Sequence, residues 1–139
     1  MPVYRKTKMK ALYYLACPYS DPDPTIRENR YLEASKVAGH LMQMGYHILS
    51  PISACHEAAK QAETAFDWSY WKEFDERLIS HCNALVVLAL PGIGKSVGTQ
   101  AEIEIAKRLG KPVYVLLPSG EWVGKAPPVD NSDTTEKAL

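Results

Sequence analysis

The sequence predicts a small α/β domain: a parallel sheet of four to five strands with helices on both faces. Three observations lead there. Four short apolar runs, at residues 11–17, 46–50, 84–90 and 113–117, have strand length, and the third is apolar throughout, as suits a strand covered on both faces. Between them lie longer stretches with the 3.6-residue periodicity of amphipathic helices. The resulting order, β-α-β-α-β-α-β, joins parallel neighbours by right-handed crossovers. A fifth strand is not visible in the pattern.

In chain order, residues 1–9 are expected to form a flexible leader and residues 10–118 a single domain. The first strand, Ala11 to Cys17, stops at Pro18. The turn-rich loop Pro18 to Thr25 follows, and Thr25 with Glu28 fits a capping box for the next helix. Tyr31, Ala34, Val37, Ala38, Leu41 and Met44 form its apolar stripe, and Gly45 ends it. Tyr46 to Ser50 is a short strand closed by Pro51. Residues 52–64 fit either a short helix capped by Ser53 or a loop. Helical signal runs from Phe66 to Cys82 with Trp71, Phe74, Leu78 and Cys82 in register. The strand from Ala84, a glycine-rich loop, a helix to Leu109 and the strand Val113 to Leu117 complete a βαβ unit. Its loop lies at the carboxyl end of a strand, where open α/β sheets bind ligands. Residues 119–139 are expected to be a tail, disordered or draped over the surface.

Composition excludes several classes of function. The 139 residues carry 16 basic and 16 acidic side chains, so no general attraction to a nucleic-acid polymer or an anionic membrane is implied. No apolar stretch approaches the ~20 residues of a membrane span. Three cysteines without a CxxC pair argue against a disulfide framework or structural zinc, and fit reduced thiols in the cytoplasm. The four histidines show no metal spacing, and the reading calls for neither metal nor cofactor.

Two carboxylates stand out. Glu102 shares a helix face with Ile105, Ala106 and Leu109, whereas Glu104 lies three and four residues before Lys107 and Arg108 and can pair with them. Glu102 is either an edge residue reaching to water or a cleft-facing carboxylate near a helix N-terminus, where the dipole favours its ionised form. Asp75 borders the stripe of Trp71, Leu78 and Ile79, as an ordinary boundary acid or a second cleft carboxylate, while Asp67 and Glu76 face away. Two cleft carboxylates are the minimum for cleaving a glycosidic bond. Gly94-Lys95-Ser96 superficially resembles a P-loop, but Ala89 stands where its first glycine is required and the next strand offers no acid for magnesium. The same loop can still bind a phosphate through Gly92, Gly94, Gly98, Lys95 and Ser96 at a helix start.

These motifs resemble those of the nucleoside 2-deoxyribosyltransferase superfamily. The resemblance rests on Tyr14-Leu-Ala-Cys17 in the first strand, Asp75 eight residues before Asn83, and Gly98-Thr-Gln-Ala-Glu102-Ile-Glu-Ile-Ala106, in which Glu104 replaces a family glycine. It implies a flavodoxin-like (Rossmann-like) fold and cleavage of an N-glycosidic bond with retention. Glu102 would be the nucleophile, Tyr14 would orient it, and Asp75 would protonate the leaving base or hold the sugar. Ser96, six residues before Glu102, stands where nucleoside transferases tend to carry aspartate and where 2′-deoxynucleoside 5′-monophosphate N-hydrolases carry serine. That points to a nucleotide substrate held by Ser96, Gly98, Lys95, Tyr19 and Ser20. The hydrolases' arginine-bearing phosphate loop is replaced by Cys17-Pro-Tyr-Ser20, with Arg27 and Arg30 as substitute charges. The resemblance also implies a homodimer or higher homo-oligomer; the aromatic helix around Trp68, Tyr70, Trp71 and Phe74 fits its interface, or core packing alone. Two alternatives are base exchange between nucleosides and a nucleotide-sensing module without turnover.

Overall fold

The computed structural model describes residues 9–62 and 68–130. A five-stranded sheet in the order β2-β1-β3-β4-β5 forms its centre. The strands are β1 (Leu12–Ala16), β2 (His47–Leu49), β3 (Ala84–Leu88), β4 (Val113–Leu116) and β5 (Trp122–Val123). The first four are parallel, and β5 runs antiparallel to β4. The helices are α1 (Pro24–Gln43), α2 (Pro51–Gln61), α3 (Trp68–His81) and α4 (Val97–Arg108), with a 3-10 turn at Ile93–Lys95. This is the expected small flavodoxin-like α/β fold.

Strand parity sorts the core into two layers. Tyr13, Leu15, Val86 and Leu88 point to one face and meet Ala34, Ala38 and Leu41 of α1. Tyr14, Ala16, Leu85 and Val87 point to the other and meet Ile79 of α3 and Ile105 and Ala106 of α4. Alternation of successive side chains therefore delivers Tyr14 to the layer that holds both α3 and α4. Asn83 fixes the start of that strand: its side-chain oxygen accepts from the Leu12 amide at 2.8 Å, and its own amide donates to the Leu12 carbonyl at 2.7 Å.

Several boundaries differ from the sequence reading. Helix α1 begins earlier than the capping box implies: Asp23 is the N-cap, accepting from the Thr25 amide, and Pro24 occupies the first turn. Glu28 is thereby released for another contact. Gly45 ends α1 at φ +98°, the left-handed conformation that favours glycine. Residues 51–61 form α2, capped by Ser50 and not Ser53. The leader before Met9, the portion of the third helix expected at Phe66 and Asp67, and the tail beyond Asp130 lie outside the described residues. Arg108 of α4 reaches across to Glu76 of α3, so it serves this inter-helix pair and not Glu104.

Of the tail expected to be disordered or draped over the surface, the described part, up to Asp130, is draped. Residues 119–130 turn back, contribute β5 and run along the far end of the sheet. The hydroxyl of Tyr13 donates to the Pro128 carbonyl and that of Tyr46 to the Pro127 carbonyl, the latter at 2.7 Å. The Ala11 amide donates to the Val129 carbonyl at 3.0 Å. A buried phenol without an acceptor costs roughly 1–3 kcal/mol, which this segment prevents. Removing both hydroxyls (Y13F with Y46F) should release the segment. Limited proteolysis is expected to cut between residues 119 and 130 of the double variant, and unchanged resistance would contradict this account.

Candidate active site

A cleft of about 340 Å³ opens beside the carboxyl ends of β1 and β3, lined by β1, α2, α3 and the start of α4. Its volume falls within the ~300–1,000 Å³ usual for small-molecule sites. Among its lining residues are Tyr14, Asp75 and Glu102, which the structure brings together from three elements.

Glu102 is 7% exposed and Asp75 8% exposed, so neither is an ordinary solvated acid. Glu102 lies in the second turn of α4, on the face shared with Ile105 and Ala106. Asp75 lies on α3 on the buried seam with Ile79. Between them stands Tyr14, 1% exposed, whose hydroxyl donates to Glu102 Oε2. The same hydroxyl lies near enough to Asp75 to lower its pKa.

Electrostatics overturn one expectation. Burial first, and the nearby Asp75 charge second, push Glu102 up to about 8, the Tyr14 bond only partly offsetting both. Burial likewise raises Asp75, to about 6, against the lowering effect of Tyr14. Position near a helix start implies that the dipole favours the ionised form of Glu102, but that influence fades beyond the first turn. Desolvation wins here. Tyr14 is itself raised well above its ordinary value, first by burial and then by both carboxylates, so it remains a donor. The pair thus holds one proton between about pH 6 and pH 8.

The cleft's thiols do not compete as nucleophiles. Burial pushes Cys17 up to about 12, with the Glu102 charge adding and Arg30 opposing. Burial also raises Cys55, helped by Asp75. A protonated thiol is a poor nucleophile. Cys17, Cys55 and Cys82 are all free.

Lys95, Ser96, Gly98, Tyr19 and Ser20 all line the same cleft. Their local roles refine the sequence reading. Ser96 is the N-cap of α4, its hydroxyl accepting from the Thr99 amide at 3.2 Å and bonding the Thr99 hydroxyl at 2.9 Å. The loop before it is not a P-loop: the Lys95 and Ser96 amides close the 3-10 turn onto Gly92 and Ile93. Of the three loop glycines, only Gly92 needs to be glycine. It has φ +93°, and an added Cβ would stand 3.1 Å from Arg30 Nη2. At Gly98 a Cβ would meet Trp68 at an ordinary 3.6 Å, and at Gly94 it would meet open space.

The arginines are largely committed to the loop after β1. Arg30 Nη1 donates to the Ser20 carbonyl at 3.0 Å and more weakly to that of Tyr19. Arg27 donates to the Asp21 and Pro22 carbonyls. They brace the loop before they can serve an anion.

Sequence reasoning gives His56 little weight, and the structure gives it a defined place. It is 6% exposed, stacked on Tyr31 with ring centroids 4.1 Å apart. Its Nδ1 lies 2.6 Å from the Tyr19 hydroxyl and its Nε2 2.7 Å from Glu28. The partners stand 28 and 37 residues away, so no local motif announces them.

A family model described as "Domain of unknown function (DUF1937)" matches residues 11–117. The chain belongs to this family. The DUF1937 match spans β1 to β4 with every cleft-lining residue, and stops before β5. No curated protein matches the chain. Among the described residues, no group of three His, Cys, Asp or Glu side chains is placed to hold a metal. No helix among them is long and apolar enough to cross a membrane.

Proposed function

We propose that the protein is an N-glycosidase that hydrolyses the base–sugar bond of a (deoxy)nucleoside 5′-monophosphate through a glycosyl-enzyme intermediate on Glu102. The observation that carries this reading is the pair Glu102 and Asp75, buried in one cleft with the Tyr14 hydroxyl donating to Glu102 and both carboxyls raised towards neutrality. Retaining glycosidases use two such carboxyls, one as nucleophile and the other as acid and then base. The resemblance to the nucleoside 2-deoxyribosyltransferase superfamily supports the same roles.

At rest the shared proton sits on Glu102, the more basic of the two carboxyls. The productive state needs it on Asp75 with the charge on Glu102, and the hydrogen bond from Tyr14 lowers the cost of that transfer. Glu102 attacks the anomeric carbon as the bond to the base breaks; the bonding pair leaves with the base, and Asp75 protonates it. Water then attacks the same carbon, returns its proton to Asp75 and releases the Glu102 carboxylate. The substrate phosphate would lie at the rim, against Lys95 and the first-turn amides of Val97 and Gly98 beside Ser96. The reading also carries a homo-oligomer and a cytoplasmic setting.

Incubating the protein with a panel of nucleosides and their 5′-monophosphates, with and without an acceptor base, and separating the released bases tests this directly. Base release from a monophosphate without acceptor is expected. Release only with acceptor would replace hydrolysis by base exchange. Tight binding with no release would leave a sensor.

A further inference from the structure

The proposed reaction does not use the Glu28–His56–Tyr19 chain, although that chain ends in the cleft. We propose that it is a positioning relay that makes the Tyr19 hydroxyl a hydrogen-bond acceptor towards the ligand, so that Tyr19 selects bases presenting an amino group over those presenting a carbonyl. The substrate side of this inference rests on the nucleotide reading of the cleft.

The relay follows from donor and acceptor inventory. A Glu28 carboxylate can only accept, so the His56 nitrogen 2.7 Å from it, Nε2, carries the hydrogen. In neutral imidazole the other nitrogen is then bare. The Tyr19 hydroxyl, 2.6 Å from Nδ1, must donate to it. Its only hydrogen is spent, and what remains on the oxygen is lone pairs. Burial of Tyr19 raises its pKa above the ordinary tyrosine value, so the hydroxyl keeps that hydrogen.

The parts are held rigidly enough for this polarity to matter. His56 is clamped by stacking on Tyr31, with ring planes 14° apart. Tyr19 meets it edge-on at 89°. Arg30 holds the Tyr19 and Ser20 carbonyls from α1, which fixes the backbone of the loop as His56 fixes the phenol. Tyr19 and His56 both line the cleft alongside Cys55 and Asp75. A fixed polar group rejects a ligand of the wrong polarity more strongly than a mobile one, because the mismatch leaves a partner unpaired.

Two measurements on the full chain test the relay. Nitrogen-15 NMR at pH 8 reads the neutral His56 tautomer without any ligand. Hydrogen on Nε2 is expected, and hydrogen on Nδ1 would overturn the relay. Equilibrium binding then compares two matched pairs of 2′-deoxynucleoside 5′-monophosphates, cytosine against uracil and adenine against hypoxanthine. The amino member of each pair should bind about tenfold more tightly. Y19F, which keeps the ring and loses the oxygen, should bring both ratios within about twofold of unity. Equal binding by the unaltered protein, or ratios that survive Y19F, would overturn the selection by Tyr19. If no nucleotide binds at all, the nucleotide reading and the selection fall together, and the tautomer alone decides whether the relay exists.

Discussion

Glu102→Gln is expected to abolish turnover and at the same time to stabilise the fold. On the proposed mechanism the amide cannot attack the anomeric carbon, and kcat should fall by at least about 10³-fold, roughly 4 kcal/mol of barrier. Stability moves the other way. Burial raises Glu102 from an ordinary carboxylate value to about 8, so the folded protein binds a proton that the unfolded chain has already lost. Stability from this group is therefore intact below pH 4.5 and falls as pH rises towards 8. The glutamine side chain removes that loss while keeping an oxygen for Tyr14. Thermal melts should show little difference near pH 5 and an advantage for the variant that grows to a few kcal/mol by pH 9, at roughly 1.4 kcal/mol for each tenfold change in proton affinity. Parallel melting curves across that range would mean that Glu102 ionises freely in the folded state.

Tyr14→Phe separates the orienting role of the hydroxyl from the chemistry. On the proposed mechanism the unaltered protein should show a bell-shaped pH dependence of kcat/KM. It rises near pH 6 as the carboxylate pair loses its first proton, and falls near pH 8 as it loses the second. The Tyr14 hydrogen bond lowers both carboxylates, so losing it should move both limbs to higher pH. At pH 7 the variant should lose about 10²-fold in kcat, comparable to removing one donor from a charged reaction centre, and recover part of it in more alkaline buffer. Limbs that stay in place while kcat falls would show that Tyr14 acts only through packing.

The sheet and the carboxylate pair were legible because they follow from periodicity within single elements. Helical spacing places Glu102 beside Ile105 and Ala106 on a buried face, whereas Tyr14 is singled out by the family resemblance and not by its strand pattern. Asp75 reads as a boundary acid but is buried, because α3 and α4 pack on the same layer as Tyr14. What stayed hidden depends on contacts far apart in sequence. The two-residue strand β5 is too short to carry a pattern, and its approach is fixed by Tyr13 and Tyr46 more than 80 residues earlier. The Glu28–His56–Tyr19 chain spans three elements, and the apparent capping box draws Glu28 to the wrong partner. The raised pKa of Glu102 was hidden for a related reason. A helix dipole can be read from position in a helix, whereas desolvation depends on everything packed around the group.

The central claim is a covalent bond between Glu102 and the sugar. Rapid acid quench during turnover of a nucleoside monophosphate, followed by mass spectrometry of the peptide containing residues 97–108, tests it most directly. The expected result is added mass equal to the sugar phosphate, located on Glu102 and absent from the Glu102→Gln variant. Base released in full with Glu102 unmodified at every time point, or an adduct on another residue, would contradict it.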